Sequence, residues 1–165
     1  MENNKKEVLI LAIGIALLPP LWAVLAPYIG ISTGAVALIC AGVYVTNGNK
    51  LEDGLKIMIG FWCGDFWALL ALKCMNCISL NPNLELFVVL AVLGFLAVII
   101  GSILKKIIFL PAWLCGWAIG LTIMSSIDVS NLSGIFIQIA ASMAAGVWYV
   151  GAGVDLFNRC ILKRL

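Results

Sequence analysis

The sequence contains no histidine and few charged residues, and both shortages narrow what the protein does. Lys, Arg, Asp and Glu make up 11% of its 165 residues, against about 25% in a typical soluble domain. Without histidine, the chain lacks the commonest general base and the commonest metal ligand of proteins. The sequence also has no glycine-rich phosphate loop and no Ser/His/Asp set. We therefore expect no catalysis, no cofactor and no bound metal.

Apolar residues are what the sequence has in excess. They make up 64% of the chain, and its mean hydropathy is +1.15, whereas soluble domains are about 45–50% apolar. A soluble core would not hide this much apolar surface, so the surrounding solvent must be lipid. No polar stretch is long enough to fold alone, and we predict a single transmembrane domain over residues 1–165. A net charge of only +2 does not indicate nucleic-acid binding.

Six apolar segments are separated by short polar turns rich in Gly, Asn, Pro and Lys. A helix needs about 20 mostly apolar residues to cross a bilayer. The sequence therefore predicts an all-α membrane protein with six transmembrane helices. The predicted spans are residues 8–27, 31–46, 56–78, 86–104, 107–124 and 134–157.

Basic residues predict the orientation of these spans. With six crossings, nine of the ten Lys and Arg residues fall on one side of the membrane and none in the loops of the other. The nine are Lys5, Lys6, Lys50, Lys56, Lys105, Lys106, Arg159, Lys163 and Arg164. Lysine and arginine accumulate in cytoplasmic loops, so we expect both termini to be cytoplasmic.

Spans one to three and four to six share features that suggest two copies of one unit. The matching residues are Gly34 and Gly42 with Ala112 and Gly120, Gly54 with Gly134, and Gly64 and Trp67 with Gly146 and Trp148. Three crossings per copy would place the second copy upside down, as in many transporters. The alternative is a chance alignment of small residues and tryptophans.

Glycine pairs four residues apart recur at Gly30 and Gly34, Gly60 and Gly64, and Gly116 and Gly120. Such pairs let helix backbones approach closely in lipid. They fit either packing within the chain or the interface of a homo-oligomer. We predict Gly60, Gly64, Gly116 and Gly120 as helix-packing residues and expect a homo-oligomer.

A set of small and aromatic residues resembles a known family. The set comprises Pro20-Leu21-Trp22, the turn Gly54 to Lys56, Gly64 and Trp67, and the block Pro111, Gly116 and Gly120. Together with the length, it is similar to the YcdZ-like family of small bacterial inner-membrane proteins of unknown function. The resemblance implies a bacterial inner (plasma) membrane location and no particular chemistry.

Asp65 is the polar residue that stands out within the spans. A helical rise of about 1.5 Å per residue places it roughly 13 Å beyond Lys56, close to the bilayer midplane. A carboxylate at that depth is costly and is a functional candidate by default. Trp62 and Phe66 lie three residues before and one after Asp65, on what the helical period predicts to be one face. The alternative is that Asp65 is protonated or hydrogen-bonded and only fixes helix packing.

We predict that six residues contact a solute or line its path: Asp65, Trp62, Phe66, Trp67, Trp113 and Trp117. Aromatic walls beside a carboxylate suit a small polar or cationic solute. Lys73 is either a side chain reaching the outer interface or part of an electropositive mouth. Cys74 and Cys77 have redox-type spacing, but no second pair completes a zinc site.

These patterns favour a channel or facilitator that carries a small polar solute across the bacterial inner membrane. The solute would resemble urea, ammonia or a small organic acid, because six short spans enclose little volume. Two alternatives stay open. One is a small-molecule-binding membrane subunit of a larger importer, and the other is a structural or assembly protein without a ligand.

Overall fold

A computed structural model describes residues 2–48, 50–77, 81–127 and 131–162 of the chain. Within these ranges the regular structure is helical. The helices are α1 (Glu2–Leu25), α2 (Val36–Thr46), α3 (Gly54–Cys77), α4 (Pro82–Ile103), α5 (Leu110–Met124), α6 (Leu132–Ala145) and α7 (Gly153–Leu162). A π-helical segment, Gly146–Ala152, joins α6 to α7.

The predicted class is confirmed as an all-helical membrane protein. Four helical stretches are long and apolar enough to cross a bilayer, and α2 and α5 are apolar but shorter. The four are Val8–Ile29, Leu51–Cys77, Pro82–Ile103 and Leu132–Ile161. Six complete crossings therefore stay a prediction.

Two helices begin later than predicted. α2 begins at Val36 rather than at residue 31, because the backbone before it forms a turn in which the Val36 N–H donates to the Thr33 carbonyl at 3.0 Å. α5 begins at Leu110 rather than at residue 107. Phe109 before it is extended, and its N–H donates to the carbonyl of Lys56 at 3.2 Å.

Some predicted features fall outside the described residues. They are the end of the third span at residue 78, the side chains of Lys5 and Lys6, and the residues Lys163 and Arg164.

Among the prolines, Pro19 and Pro20 lie inside α1, which continues as one helix to Leu25. Pro82 occupies the first turn of α4, where Asn81 caps the helix by accepting a hydrogen bond from the Asn83 N–H at 3.1 Å.

The chain forms two compact units. The first comprises Met1–Gly54 and Ala141–Leu165, and the second comprises Leu55–Ala140. The first unit thus contains α1, α2, the π-helical segment and α7, while the second contains α3, α4, α5 and most of α6. The first unit therefore joins the beginning and the end of the sequence, whereas the second is one continuous stretch.

In the first unit, α2 packs closely against the end of α6 and the π-helical segment. A Cβ atom added at Gly146 would lie 2.5 Å from the Ala37 carbonyl oxygen, and one at Gly151 would lie 2.9 Å from the Tyr44 ring. One turn earlier, the hydroxyls of Thr33 and Ser142 form a hydrogen bond of 2.9 Å. The two helices run parallel, because both sets of residue numbers rise together.

In the second unit, α3 packs against α5 in the same way. A Cβ atom at Gly60 would lie 2.6 Å from the Phe109 carbonyl oxygen, and one at Gly64 would overlap the carbonyl oxygen of Trp113. Further along, a Cβ atom at Gly120 would lie 2.5 Å from that of Ala68. Only glycine lets the two backbones come this close.

The two helix pairs share the same contact register. The contacts are Thr33–Ser142, Ala37–Gly146 and Tyr44–Gly151 in the first unit, and Phe109–Gly60, Trp113–Gly64 and Gly120–Ala68 in the second. The contact residues in α2 and α5 and just before them are spaced by four and then seven residues in both units. On the partner helices the spacings are four and five in the first unit, and four and four in the second. The extra residue falls in the π-helical segment, whose wider turn holds one residue more.

We predict that Gly64→Ala and Gly146→Ala each destabilise the protein by about 1–3 kcal/mol, because the added methyl group overpacks a backbone contact. The matched controls are Gly134→Ala in α6 and Gly42→Ala in α2, where a Cβ atom would meet nothing within 4 Å. Thermal unfolding of the four variants in detergent measures the difference. Equal melting temperatures for the test and control variants would contradict the packing described above.

Candidate functional site

The Asp65 carboxyl group is sealed between α3 and α5. The side chain is 0% exposed, and a Cβ atom added at Gly120 would lie 3.1 Å from its Oδ1 atom. Among the described residues, none forms a hydrogen bond with either carboxyl oxygen. A buried polar group without a partner is uncommon and calls for an explanation.

Glycine packing creates this position. Gly60, Gly64, Gly116 and Gly120, the four predicted packing residues, all lie at the contact between α3 and α5. Asp65 directly follows Gly64, so the close approach of the two backbones brings the carboxyl group against α5. The missing side chain of Gly120 leaves the space that the carboxyl group occupies.

A second feature of α3 is a cavity with aromatic walls. Its volume is about 310 Å³, and it is lined by Ile59, Trp62, Cys63, Phe66, Trp67 and Trp113. The rings of Trp67 and Trp113 meet edge to face, with centroids 5.2 Å apart at 86°, a favourable arrangement for aromatic pairs. We call this space the aromatic cavity.

Hydrogen bonds hold two of the cavity's tryptophans in place. The Trp67 indole N–H donates to the Leu93 carbonyl of α4 at 3.0 Å. The Trp62 indole N–H donates to the Ala140 carbonyl of α6 at 3.0 Å. Because both indole donors are already paired with backbone, the aromatic cavity offers a ligand apolar ring surface from these two residues.

The structure brings four of the six predicted solute-contacting residues together. Trp62, Phe66, Trp67 and Trp113 line the aromatic cavity, whereas Asp65 and Trp117 do not. Trp62 and Phe66 are 42% and 54% exposed, whereas Asp65 is fully buried. Successive residues on a helix point about 100° apart, so Asp65 turns toward Gly120 of α5 while Phe66 turns toward the aromatic cavity. The ring of Trp117 lies beside Gly94 of α4.

Two cavity residues were missed by the sequence analysis. Ile59 and Cys63 lie three residues before Trp62 and Phe66 and extend the same helix face. The i, i+3 spacing was the signal that would have found them. The hydrogen bond between Thr33 and Ser142 had no comparable signal, because the two residues are 109 positions apart in the sequence.

The other charged and thiol candidates lie elsewhere. Lys73 lines a separate cavity of about 230 Å³ with Asn76 and Ser133. Cys74 and Cys77 are free thiols. Asp155 pairs with Arg159, one turn later in α7, at 2.9 Å. Within the part of the chain that the structure describes, no three potential metal-binding side chains come together.

These features define a helical membrane protein in which a buried acid and a separate aromatic cavity lie on two faces of one spanning helix. The chain belongs to the family described as "Protein of unknown function (DUF1097)", whose model matches residues 12–158. No curated protein matches the chain, and no solved structure matches it.

We predict that Trp67→Phe lowers the free energy of unfolding by about 1 kcal/mol, because the Leu93 carbonyl loses its indole donor. Trp67→Leu should cost more, since it also removes the ring contact with Trp113. Phe95→Leu is the control, because Phe95 is 67% exposed on α4. Denaturation in detergent micelles measures all three, and a Trp67→Phe variant as stable as Phe95→Leu would show that the hydrogen bond contributes nothing.

Proposed function

We propose that the protein is a facilitator for a small polar solute, built from two copies of a three-helix unit. The observation that carries this proposal is the pair of short apolar helices, α2 and α5, at corresponding places in the two halves of the chain. Such a pair is the best sequence-level pointer to the binding site of a transporter with inverted repeats.

Helix lengths support the duplication. α1, α2 and α3 have 24, 11 and 24 residues, and α4, α5 and the last apolar stretch have 22, 15 and 30. Each half is therefore long, short, long. The shared contact register of the two helix pairs supports the same equivalence. In it, α2 corresponds to α5, and α3 corresponds to the last apolar stretch, Leu132–Ile161. We therefore infer two copies with opposite topology, since each copy crosses the bilayer an odd number of times.

Short helices also suit a transport site. At about 1.5 Å per residue, α2 and α5 extend only about 17 and 23 Å, less than the hydrocarbon thickness of about 30 Å. Their crossings must be completed by non-helical backbone, which in membranes is tolerated only where protein or a water-filled cavity surrounds it. In transporters such interrupted segments contact the substrate.

The buried acid narrows the mode of transport and the solute. Because Asp65 is sealed, we favour a facilitator that exposes its site first to one side of the membrane and then to the other. A continuously open pore fits the sealed acid less well. A carboxyl group also favours solutes that carry N–H donors, such as urea or ammonia, over an anionic organic acid. A small organic acid would pass most easily beside a protonated Asp65.

Location and assembly belong to the same proposal. We infer a YcdZ-like protein of the bacterial inner membrane with both termini in the cytoplasm, supported by the resemblance and by the one-sided distribution of Lys and Arg. We also propose that the protein assembles as a homo-oligomer. Its interface would lie outside Gly60, Gly64, Gly116 and Gly120, because these glycines pack against other parts of the second unit.

One observation favours a second candidate function, a small-molecule-binding subunit of a larger importer. The aromatic cavity of about 310 Å³ reaches the lower end of the size range of ligand pockets. Native mass spectrometry of the purified protein separates the two candidates. A stoichiometric co-purified molecule together with no solute flux would favour the binding subunit.

Solute flux into liposomes tests the facilitator. Vesicles containing purified protein should take up urea, methylammonium or acetate faster than empty vesicles, and Asp65→Ala should slow that uptake about tenfold or more. Gly134→Ala is the control, because its Cβ atom meets nothing within 4 Å. Uptake no faster than into empty vesicles for all three solutes, or unchanged by Asp65→Ala, would contradict the proposal.

A further inference from the structure

The shared contact register identifies the residue that corresponds to Asp65. Gly64 and Gly146 make the same contact in the two units, each against the backbone of the short helix. The next residues in the sequence are Asp65 and Val147. Both side chains are 0% exposed. The same place in the two helix pairs thus holds a carboxylic acid in one unit and a hydrocarbon in the other.

Val147 shows what packing requires at the place that Asp65 occupies in the second unit. Valine and aspartate side chains are of comparable size, although valine branches at Cβ and aspartate at Cγ. Val147 shows that such a helix pair packs with an apolar side chain at this place. In lipid a buried acid costs free energy that a valine does not. Packing between α3 and α5 therefore gives no reason for the carboxyl group of Asp65.

We propose that Asp65 binds a proton between α3 and α5 and that passage of the solute is coupled to this proton. The coupling rests on the facilitator function proposed above, whereas proton binding stands on the geometry of the helix pair. The proton is taken from water on one side when the site is exposed there, held on one carboxyl oxygen while the site is closed, and released to water on the other side.

A metal ion does not fit this place as a proton does. Hard cations take about six or more oxygen ligands, whereas Asp65 is the only acid among the described residues of α3 and α5, and Gly120 lies directly beside its Oδ1 atom. The carbonyl groups of the surrounding α3 and α5 backbones are engaged within their own helices. A proton needs only one carboxyl oxygen.

The neighbouring elements bring no charge onto the contact. α5 has no acidic or basic residue, and its one titratable side chain is Cys115. α4 contributes Glu85 in its first turn, and the part of α6 in the second unit contributes no titratable residue. On α3 the charged residues besides Asp65 are Lys56 and Lys73, near its two ends, and its thiols are Cys63, Cys74 and Cys77.

Proton binding explains how one group can control the contact. With its proton, Asp65 is neutral and stays sealed beside Gly120. Without the proton it is an anion in an apolar contact, which is far costlier than the neutral acid. Loss of the proton therefore favours a state in which α3 and α5 separate enough for water or solute to reach the carboxylate.

Infrared spectroscopy tests proton binding without relying on transport. The purified wild-type protein at neutral pH should show the carbonyl stretch of a protonated carboxylic acid, and Asp65→Val should lose it. The Gly134→Ala control should keep it. Asp65→Val should also melt no lower than the wild type, as the packing of Val147 indicates. Absence of the band in the wild type, or its persistence in Asp65→Val, overturns proton binding.

Flux under a pH gradient tests the coupling. Uptake by the wild type should change severalfold when a pH gradient is imposed, whereas Asp65→Asn should lose this response. A wild-type flux that ignores the gradient, with the infrared band present, overturns the coupling and leaves a structural proton. No flux in any vesicle overturns the facilitator function and the coupling together, while the infrared result still decides proton binding.

Discussion

Close approach of the α3 and α5 backbones is the interaction on which the candidate site depends. Lipid is as apolar as the side chains it solvates, so helices in a membrane associate through packing rather than through the hydrophobic effect. Gly64 lets its own backbone reach the carbonyl of Trp113, and Gly120 leaves room beside Asp65. The same short distance that stabilises the pair also seals the acid.

Because Asp65 is sealed, its burial costs free energy, and this cost calls for an explanation. A carboxyl group that is 0% exposed and has no hydrogen-bond partner among the described residues stabilises nothing visible in the second unit. The first unit repeats the helix contact with Val147 in its place. The two contacts can therefore be compared within one chain. Both have the same backbone packing, but only the contact in the second unit has a carboxyl group.

α3 presents two different environments on two of its faces. One face places Asp65 against α5, and another contributes Trp62, Phe66 and Trp67 to the aromatic cavity. The proton binding and the solute passage proposed above are compatible roles for one helix. Movement of α3 relative to α5 would alter both environments together, as the proposed coupling requires.

The class of protein and most helix positions followed from the sequence by itself, because 64% apolar and 11% charged residues leave lipid as the only suitable solvent. Glycine spacing also predicted the close contacts of Gly60, Gly64, Gly116 and Gly120, whereas a Cβ atom at Gly30, which has the same spacing, would meet nothing within 4 Å. Only the tertiary structure decided that Asp65 is buried against α5 while Trp62 and Phe66 line the aromatic cavity. A membrane helix is apolar all round, so periodicity does not reveal which of its faces meets protein. The π-helical segment packs against α2, a distant part of the chain, and no local sequence pattern records that contact.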